Sequence, residues 1–147
     1  MFDLERFVDA QNGVYEGVVD ELRRGRKTGH WMWFVFPQVA GLGRSDPSRR
    51  FAIRSLDEAR AYLDHPVLGP RLRECTGIVA ASTGRTAAHV MGEMDAMKLR
   101  SSMTLFHRAA PDEAIFRQVL ERFFDGVADP ATDAILASAD ADGQLPG

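Results

Sequence analysis

The sequence lacks the features of membrane, secreted and disulfide-bonded proteins. No apolar run approaches the roughly 18 residues that span a bilayer, and residues 1–5 lack the basic and apolar segments of a signal peptide. The single cysteine, Cys75, cannot form an internal disulfide and cannot build a zinc site by itself. We therefore expect a cytoplasmic protein that has no membrane association and whose Cys75 packs in the core.

Signatures of cofactor and metal chemistry are also missing. Gly41 and Gly43 stand neither in a G-x-G-x-x-G pattern nor in a Walker motif with its lysine. His89 and Glu93 are four residues apart, but a glycine lies between them and no third ligand has a recognisable spacing. These absences predict no metal site and no cofactor.

Basic charge is concentrated in one segment of an otherwise acidic chain. The formal net charge is −3, yet residues 23–54 hold eight basic residues and one acidic residue. The overall balance argues against a dedicated nucleic-acid binder, whereas the local excess would attract an anion such as a phosphate, a nucleotide or nucleic acid. A solvated basic face that compensates the acidic remainder is the simpler interpretation.

Apolar residues recur at helical spacing along most of the chain. Residues 4–22 form the stripe of an amphipathic helix that Gly25 ends, and Ser55 with Glu58 forms the capping box of another helix. The segment 93–108 is largely apolar all round, which predicts a helix at the centre of the fold.

Prolines mark the starts of three further predicted helices. Pro66 and Pro111 suit the first helical position, and Asp129 followed by Pro130 opens a short final helix. Few segments resemble strands. We predict an all-α fold, a single compact bundle of six or seven helices over residues 1–137, followed by a flexible tail at 138–147.

Residues 27–38, KTGHWMWFVFPQ, are the most aromatic segment of the chain. They hold both tryptophans and include a proline that stops any helix or strand. A strand here would lack a partner, so we predict a short buried helix. Lys27, His30 and Gln38 place polar groups at both ends of the apolar run, which makes this segment a candidate pocket wall.

Polar residues interrupt two of the predicted core stripes. Gln11 falls inside the stripe of the first helix, where an unpaired amide would cost about 1–3 kcal/mol. Asp95, Lys98, Ser101 and Ser102 lie in the helix that we expect at the centre. Each has two interpretations: a structural tie, such as an Asp95–Lys98 pair within one helix, or part of a functional polar site.

Four segments together resemble one protein family, namely RFVDAQ at residues 6–11, KTGHWMWFVFPQ at 27–38, YLDHPVLG at 62–69 and KLRSSMTLF at 98–106. Over about residues 4–136 the chain is similar to a family of small bacterial proteins of unknown function that are sometimes labelled calpastatin-like. The resemblance implies an all-α fold of about this length and no established reaction. The calpastatin label has no support here, because that inhibitor is a disordered repeat protein and this chain reads as a packed domain.

These observations combine into one hypothesis about function. Convergent polar groups beside aromatic walls, with basic residues at the rim, suit a pocket for a nucleotide-like or other phosphorylated small anion. The candidate catalytic residues are His30, Asp95 and Lys98. Either His30 or Asp95 could act as general base, and Lys98, like Lys27, could hold phosphate. The predicted ligand-binding residues are Gln11, Lys27, His30, Trp31, Trp33, Gln38, Ser101 and Ser102.

Three alternatives stay open. A protein-interaction module would expose Trp31, Trp33 or the phenylalanines of the last long helix as an apolar patch of more than a few hundred Å². A nucleic-acid binder would present residues 23–54 as a continuous basic surface and bind with steep salt dependence. In a purely structural interpretation the tryptophans are core residues and the polar residues tie helices together.

Overall fold

Helices form nearly all the regular structure in residues 2–82 and 85–142, the part of the chain that the computed structural model describes. The all-α prediction is confirmed, although ten helices are described rather than six or seven. None of the described helices is long and apolar enough to cross a membrane. The helices are α1 Glu5–Gln11, α2 Tyr15–Arg24, α3 Met32–Val35, α4 Asp46–Arg50, α5 Leu56–Asp64, α6 Leu68–Ala81, α7 Ala87–Met91, α8 Glu93–Ala109, α9 Ala114–Phe124 and α10 Pro130–Asp142.

The helix predicted to be central, α8, packs against α5, α7, α9 and α10. Residues 101–106 are all buried. Its first turns differ from the prediction of an apolar surface all round, because the side chains of Met94 and Met97 are 75% and 72% exposed. The C-terminal part of α8 is therefore core, whereas its N-terminal part emerges at the surface.

The single helix predicted over residues 4–22 is wrong, because the chain forms α1 and α2 with a turn between them. The helix α1 ends at Gln11 because the next residue, Asn12, has an extended backbone, and Gly13 in the turn has φ +85°, a left-handed conformation that glycine adopts without strain. Val14 is 43% exposed instead of continuing the buried stripe. Gly25, with φ +73°, ends α2 as predicted.

Two predicted proline starts are shifted towards the C-terminus. Pro66 lies in the turn before α6, where His65 Nδ1 accepts hydrogen bonds from the N–H groups of Val67 and Leu68 and so caps the start of the helix. Pro111 lies in the turn before α9, which begins only at Ala114. The cap predicted for α5 is confirmed, and α7 has a side-chain cap of the same kind. Ser55 Oγ accepts from the N–H of Glu58 at 3.0 Å, and Thr86 caps α7 in the same way.

The last helix begins as predicted and is longer than expected. The Asp129 carboxylate accepts hydrogen bonds from the N–H and the hydroxyl of Thr132, so Asp129 caps α10. The helix continues through Asp142, past residue 138, where the predicted tail begins. Residues 143–147 of that tail lie outside the described part of the chain.

One parallel bridge joins the segments before α4 and α5. The Ala40 N–H donates to Ile53 O at 2.8 Å, and the Ile53 N–H donates to Gln38 O at 2.9 Å. Val39 and Ile53 are both buried at this junction. The bridge fixes the ends of the loop 41–45 relative to the segment that enters α5.

Candidate functional site

A cavity of about 480 Å³ lies between the segment 27–33 and the start of α8. We call it the lysine cavity. Its volume falls within the range of about 300–1,000 Å³ that is usual for small-molecule sites. It is lined by Lys27, His30, Met32, Trp33, Met91, Gly92, Glu93, Met94, Asp95 and Lys98.

The connector that carries Lys27 and His30 into the cavity wall is held by Glu21, at the end of α2. Glu21 Oε1 accepts hydrogen bonds from Thr28 N at 2.6 Å, Gly29 N at 2.8 Å and Trp31 Nε1 at 3.1 Å. Partial burial of this carboxyl favours its neutral form, but these hydrogen bonds outweigh burial and lower its pKa. The charged carboxylate therefore fixes the path of the connector.

Two lysines share one carboxylate at the cavity wall. Lys27 Nζ lies 2.6 Å from Asp95 Oδ2, and Lys98 Nζ lies 3.3 Å from Asp95 Oδ1. The side chains of Lys27, Lys98 and Asp95 are 6%, 24% and 20% exposed, respectively, so all three are largely removed from solvent. We call these three residues the lysine cluster; at neutral pH they carry a net charge of +1.

Each lysine of the cluster also lies over a tryptophan ring. Lys27 Nζ is 4.9 Å from the centroid of Trp31, and Lys98 Nζ is 4.9 Å from that of Trp33, both within the range of cation–π attraction. These are the only two lysines and the only two tryptophans in the chain. The sequence offers sixteen arginines for its other cationic positions, so the use of lysine is confined to this cluster.

The two tryptophans have different environments. Trp31 is 4% exposed, its indole N–H is bonded to Glu21, and it does not line the cavity. Trp33 is half-buried, lines the cavity and has a buried Nε1 that meets no acceptor in the described residues. Because Trp33 lines the cavity and Trp31 does not, Trp33 is the tryptophan suited to contact a ligand.

Gln11, predicted as a possible pocket wall, lies in the core instead of in the cavity. Its amide nitrogen donates to Phe34 O at 2.7 Å and to Tyr62 Oη at 3.1 Å, and its oxygen accepts from Arg71 at 3.2 Å. The side chain is 1% exposed. These hydrogen bonds favour the structural interpretation of Gln11, and we call Gln11, Tyr62, Arg71 and the Phe34 carbonyl the Gln11 network.

The remaining predicted residues lie beside the lysine cavity or beneath it. Gln38 and Ser101 line a neighbouring cavity of about 310 Å³ that shares Met94 and Lys98 with the first. Ser101 Oγ lies 2.8 Å from Asp129 Oδ2, which links α8 to the cap of α10. Ser102 is fully buried, lines neither cavity, and its hydroxyl meets no partner in the described residues.

The sequence interpretation missed the residues that complete the wall, above all Met91, Glu93 and Met94. They stand around Gly92, whose φ of +86° separates α7 from α8. The signal available was the same Gly92, since a glycine between two helical patterns marks a change of direction. The direction itself, which turns Met94 towards solvent, depends on how α7 packs against α8 and is not encoded locally.

The aromatic side chains of the interaction-module alternative are covered to different degrees. Trp31 is buried, whereas Trp33 and, on α9, Phe123 and Phe124 are half-buried. Among the described residues, the large hydrophobic side chains with high exposure are Phe2, Val14, Met94, Met97 and Val127.

Cys75 has the properties of a core residue. It is fully buried, and burial raises the pKa of its thiol to about 12. Its sulfur lies 3.8 Å from the Tyr15 hydroxyl. A thiol that stays protonated at neutral pH is a poor nucleophile, so Cys75 does not supply a reactive group.

Comparison with known proteins identifies the family of the chain but assigns no reaction to it. A family model described as "Protein of unknown function (DUF1810)" matches residues 1–136. The chain is 54% identical to the conserved hypothetical protein Rv1873 from Mycobacterium tuberculosis, whose crystal structure at 1.38 Å it matches with a TM-score of 0.91 over 92% of this chain and 97% of that one. No curated protein matches the chain. The chain belongs to the DUF1810 family, the family of small proteins of unknown function that its sequence motifs resemble.

Proposed function

We propose that the lysine cavity binds a small phosphorylated anion of the nucleotide type. The observation that carries this proposal is the lysine cluster, in which two ammonium groups share one carboxylate beside a half-buried tryptophan. One carboxylate compensates only one of the two cations. The remaining positive charge lies in a partly buried setting, where its attraction for a phosphate is stronger than in bulk water.

The two lysines have different roles in this proposal. Lys27 Nζ donates to Asp95 and to Gly29 O, and its side chain is 6% exposed, so it holds the cluster together. Lys98 Nζ uses one of its three donors on Asp95 and its side chain is 24% exposed. Lys98 is therefore the residue that meets the phosphate.

The mixture of groups in the wall favours a nucleotide over a bare phosphate. The exposed carboxylate of Glu93 repels a free anion but accepts hydrogen bonds from sugar hydroxyls. The half-buried indole of Trp33 and the side chain of Met94 offer polarizable apolar surface to a planar base. Because Lys98 Nζ lies over the Trp33 ring, sites for phosphate and base are adjacent.

An enzymatic role would place His30 as the general base. Asp95 already accepts hydrogen bonds from two lysines, which occupies the carboxylate. His30 lines the cavity, is exposed, and forms no hydrogen bond or ion pair within the described residues. An exposed imidazole without a fixed partner is available to activate water.

Thermal unfolding of the wild type with a panel of nucleotides and phosphorylated metabolites tests the proposal. A ligand present at a hundred times its Kd adds about 2.7 kcal/mol to the free energy of unfolding and raises Tm by a few degrees. We expect Lys98→Met to weaken binding of the hit by about ten- to a hundredfold, because a hydrogen bond to a charged group contributes about 1.5–3 kcal/mol.

Two further variants complete the test. Arg117→Gln removes an exposed cation from α9, far from the cavity wall in sequence and absent from its lining, and should leave binding unchanged. His30→Ala should keep binding and abolish any turnover of the hit. The proposal is wrong if no member of the panel raises Tm, or if folded Lys98→Met binds the hit as tightly as the wild type does.

A further inference from the structure

Two further cavities adjoin the lysine cavity, and we call the three together the groove. The neighbouring cavity of about 310 Å³ shares Met94 and Lys98 with it, and a third cavity of about 400 Å³ shares Gly43 and Ser48 with the second. The three cavities therefore form a row in which each shares two lining residues with the next. Together they exceed the volume of about 300–1,000 Å³ that is usual for a single small-molecule pocket.

The third cavity is built on fixed backbone. The parallel bridge between Val39 and Ile53 joins its two walls, one at Ala40 and the other at Ala52 and Arg54. A Cβ added to Gly43 would lie 2.4 Å from the Cβ and Oγ atoms of Ser48, so the loop passes against α4 only because residue 43 is glycine. This close approach defines the boundary between the second and third cavities.

Charge is distributed unevenly along the groove. Carboxylates line the first two cavities. Asp95 pairs with both lysines, Asp129 accepts hydrogen bonds from Ser101 and Thr132, and Glu93 is exposed. The third cavity has two arginines, Arg49 and Arg54, and no acidic residue in its lining. The most strongly positive part of the groove is thus the end opposite the lysine cluster.

We propose that the Arg49 cavity is a second anion subsite and that the ligand of the groove is elongated, with a phosphate group at each end. A dinucleotide phosphorylated at both its 5′ and its 3′ end has this chemistry, with a phosphate group at each end and planar bases between them. Its middle would lie on Leu42, Met94 and Met97 in the second cavity. The inference rests on the proposed function, because the second subsite extends the same groove.

Arg49 is the residue with which to test the second subsite. Its side chain is exposed and has no hydrogen bond or ion pair in the described residues, so Arg49→Gln removes charge without removing a structural contact. Arg24→Gln is the matched control, since Arg24 is also an exposed arginine of the basic segment and lines none of the three cavities.

Calorimetric titration with a nucleoside 5′-monophosphate and with a dinucleotide that contains it and is phosphorylated at both its 5′ and its 3′ end separates the two proposals. We expect the wild type to bind the dinucleotide at least tenfold more tightly than the monophosphate. Arg49→Gln should remove this advantage and leave the monophosphate unaffected, Arg24→Gln should change neither, and Lys98→Met should weaken both.

Equal affinities for the two ligands in the wild type, or an unchanged dinucleotide affinity in Arg49→Gln, would overturn the second subsite while leaving the proposed function intact. Failure of the wild type to bind either ligand would overturn both. Loss of dinucleotide affinity in Arg24→Gln as well would show a general charge effect and would also reject a defined subsite.

Discussion

The Gln11 network and the lysine cluster both place polar residues on apolar elements of the sequence. They differ in how completely those polar groups are paired in the structure. Every hydrogen-bonding group of the Gln11 amide is used, by Phe34 O, the Tyr62 hydroxyl and Arg71. In the lysine cluster two cations share one carboxylate, and the cluster lines a cavity. Buried polarity that is fully paired holds helices together, whereas polarity that keeps spare donors beside open space can act on a ligand.

The largest effect that we expect within this comparison comes from Asp95→Asn. The substitution keeps the shape of the side chain and removes the charge that compensates Lys27, whose side chain is 6% exposed. Leaving a buried ammonium uncompensated should lower the free energy of unfolding by about 3 kcal/mol. This value is the lower end of the destabilisation that is usual when a buried ion pair is broken. Urea denaturation measures the loss.

A double variant separates pairing from the position of Asp95 in the first turn of α8. Lys27→Met with Asp95→Asn removes both charges, so most of the lost stability should return. About 0.5 kcal/mol should stay lost, since a carboxylate near a helix N-terminus is favourable by itself. A double variant as unstable as Asp95→Asn would contradict the pairing, and an Asp95→Asn protein as stable as the wild type would show that Lys27 needs no compensation.

A somewhat smaller loss is expected from Gln11→Ala, which opens the closed network. The Phe34 carbonyl and Arg71 lose a buried partner, and we expect about 2 kcal/mol of destabilisation by urea denaturation. Gln118→Ala is the control, because Gln118 is exposed on α9 and the same substitution there should cost less than about 0.5 kcal/mol. Equal costs at the two positions would remove the distinction between the two regions.

The smallest effect that we expect is on the pH dependence of stability, and it comes from Glu21, which holds the connector that carries Lys27. Because its pKa is lower in the folded protein, Glu21 contributes stability above about pH 4.3, the value for an unperturbed glutamate, and loses it as pH falls through the lower folded pKa. Glu21→Gln still accepts hydrogen bonds but does not titrate. We expect it to be slightly less stable at neutral pH and to lose less stability on acidification, as urea denaturation along a pH series would record. Parallel pH curves for the two proteins would contradict this account.

Much of the fold could be predicted because it depends on local chemistry. The spacing of apolar residues identified α5, α6, α8 and α9, and the side-chain caps at Ser55 and Thr86 are short-range hydrogen bonds that the sequence shows directly. The break at Gly13 was missed because the apolar stripe is nearly in register across the turn, so periodicity hides it. The extended backbone of Asn12 and the left-handed Gly13 separate α1 from α2.

The candidate site was predictable in part. Lys27, His30, Trp33, Asp95 and Lys98 were chosen from the sequence, and the structure brings them together. The sequence does not show which of Trp31 and Trp33 faces the cavity. Side chains two positions apart in a helix point about 200° from one another, and the orientation of α3 depends on tertiary packing. Glu21 was missed for a similar reason, since its contacts require the connector to fold back onto the end of α2.

The placement of one lysine over each tryptophan has a spectroscopic consequence. Tryptophan emission depends on nearby charge, and all of the tryptophan fluorescence of this protein arises within about 5 Å of an ammonium group that is paired with Asp95. A molecule that draws Lys98 away from Trp33 changes the emission of one of the two fluorophores, while Trp31, bonded to Glu21, supplies a constant background. The protein thus carries an intrinsic optical reporter of its own cavity, and binding can be followed without a label.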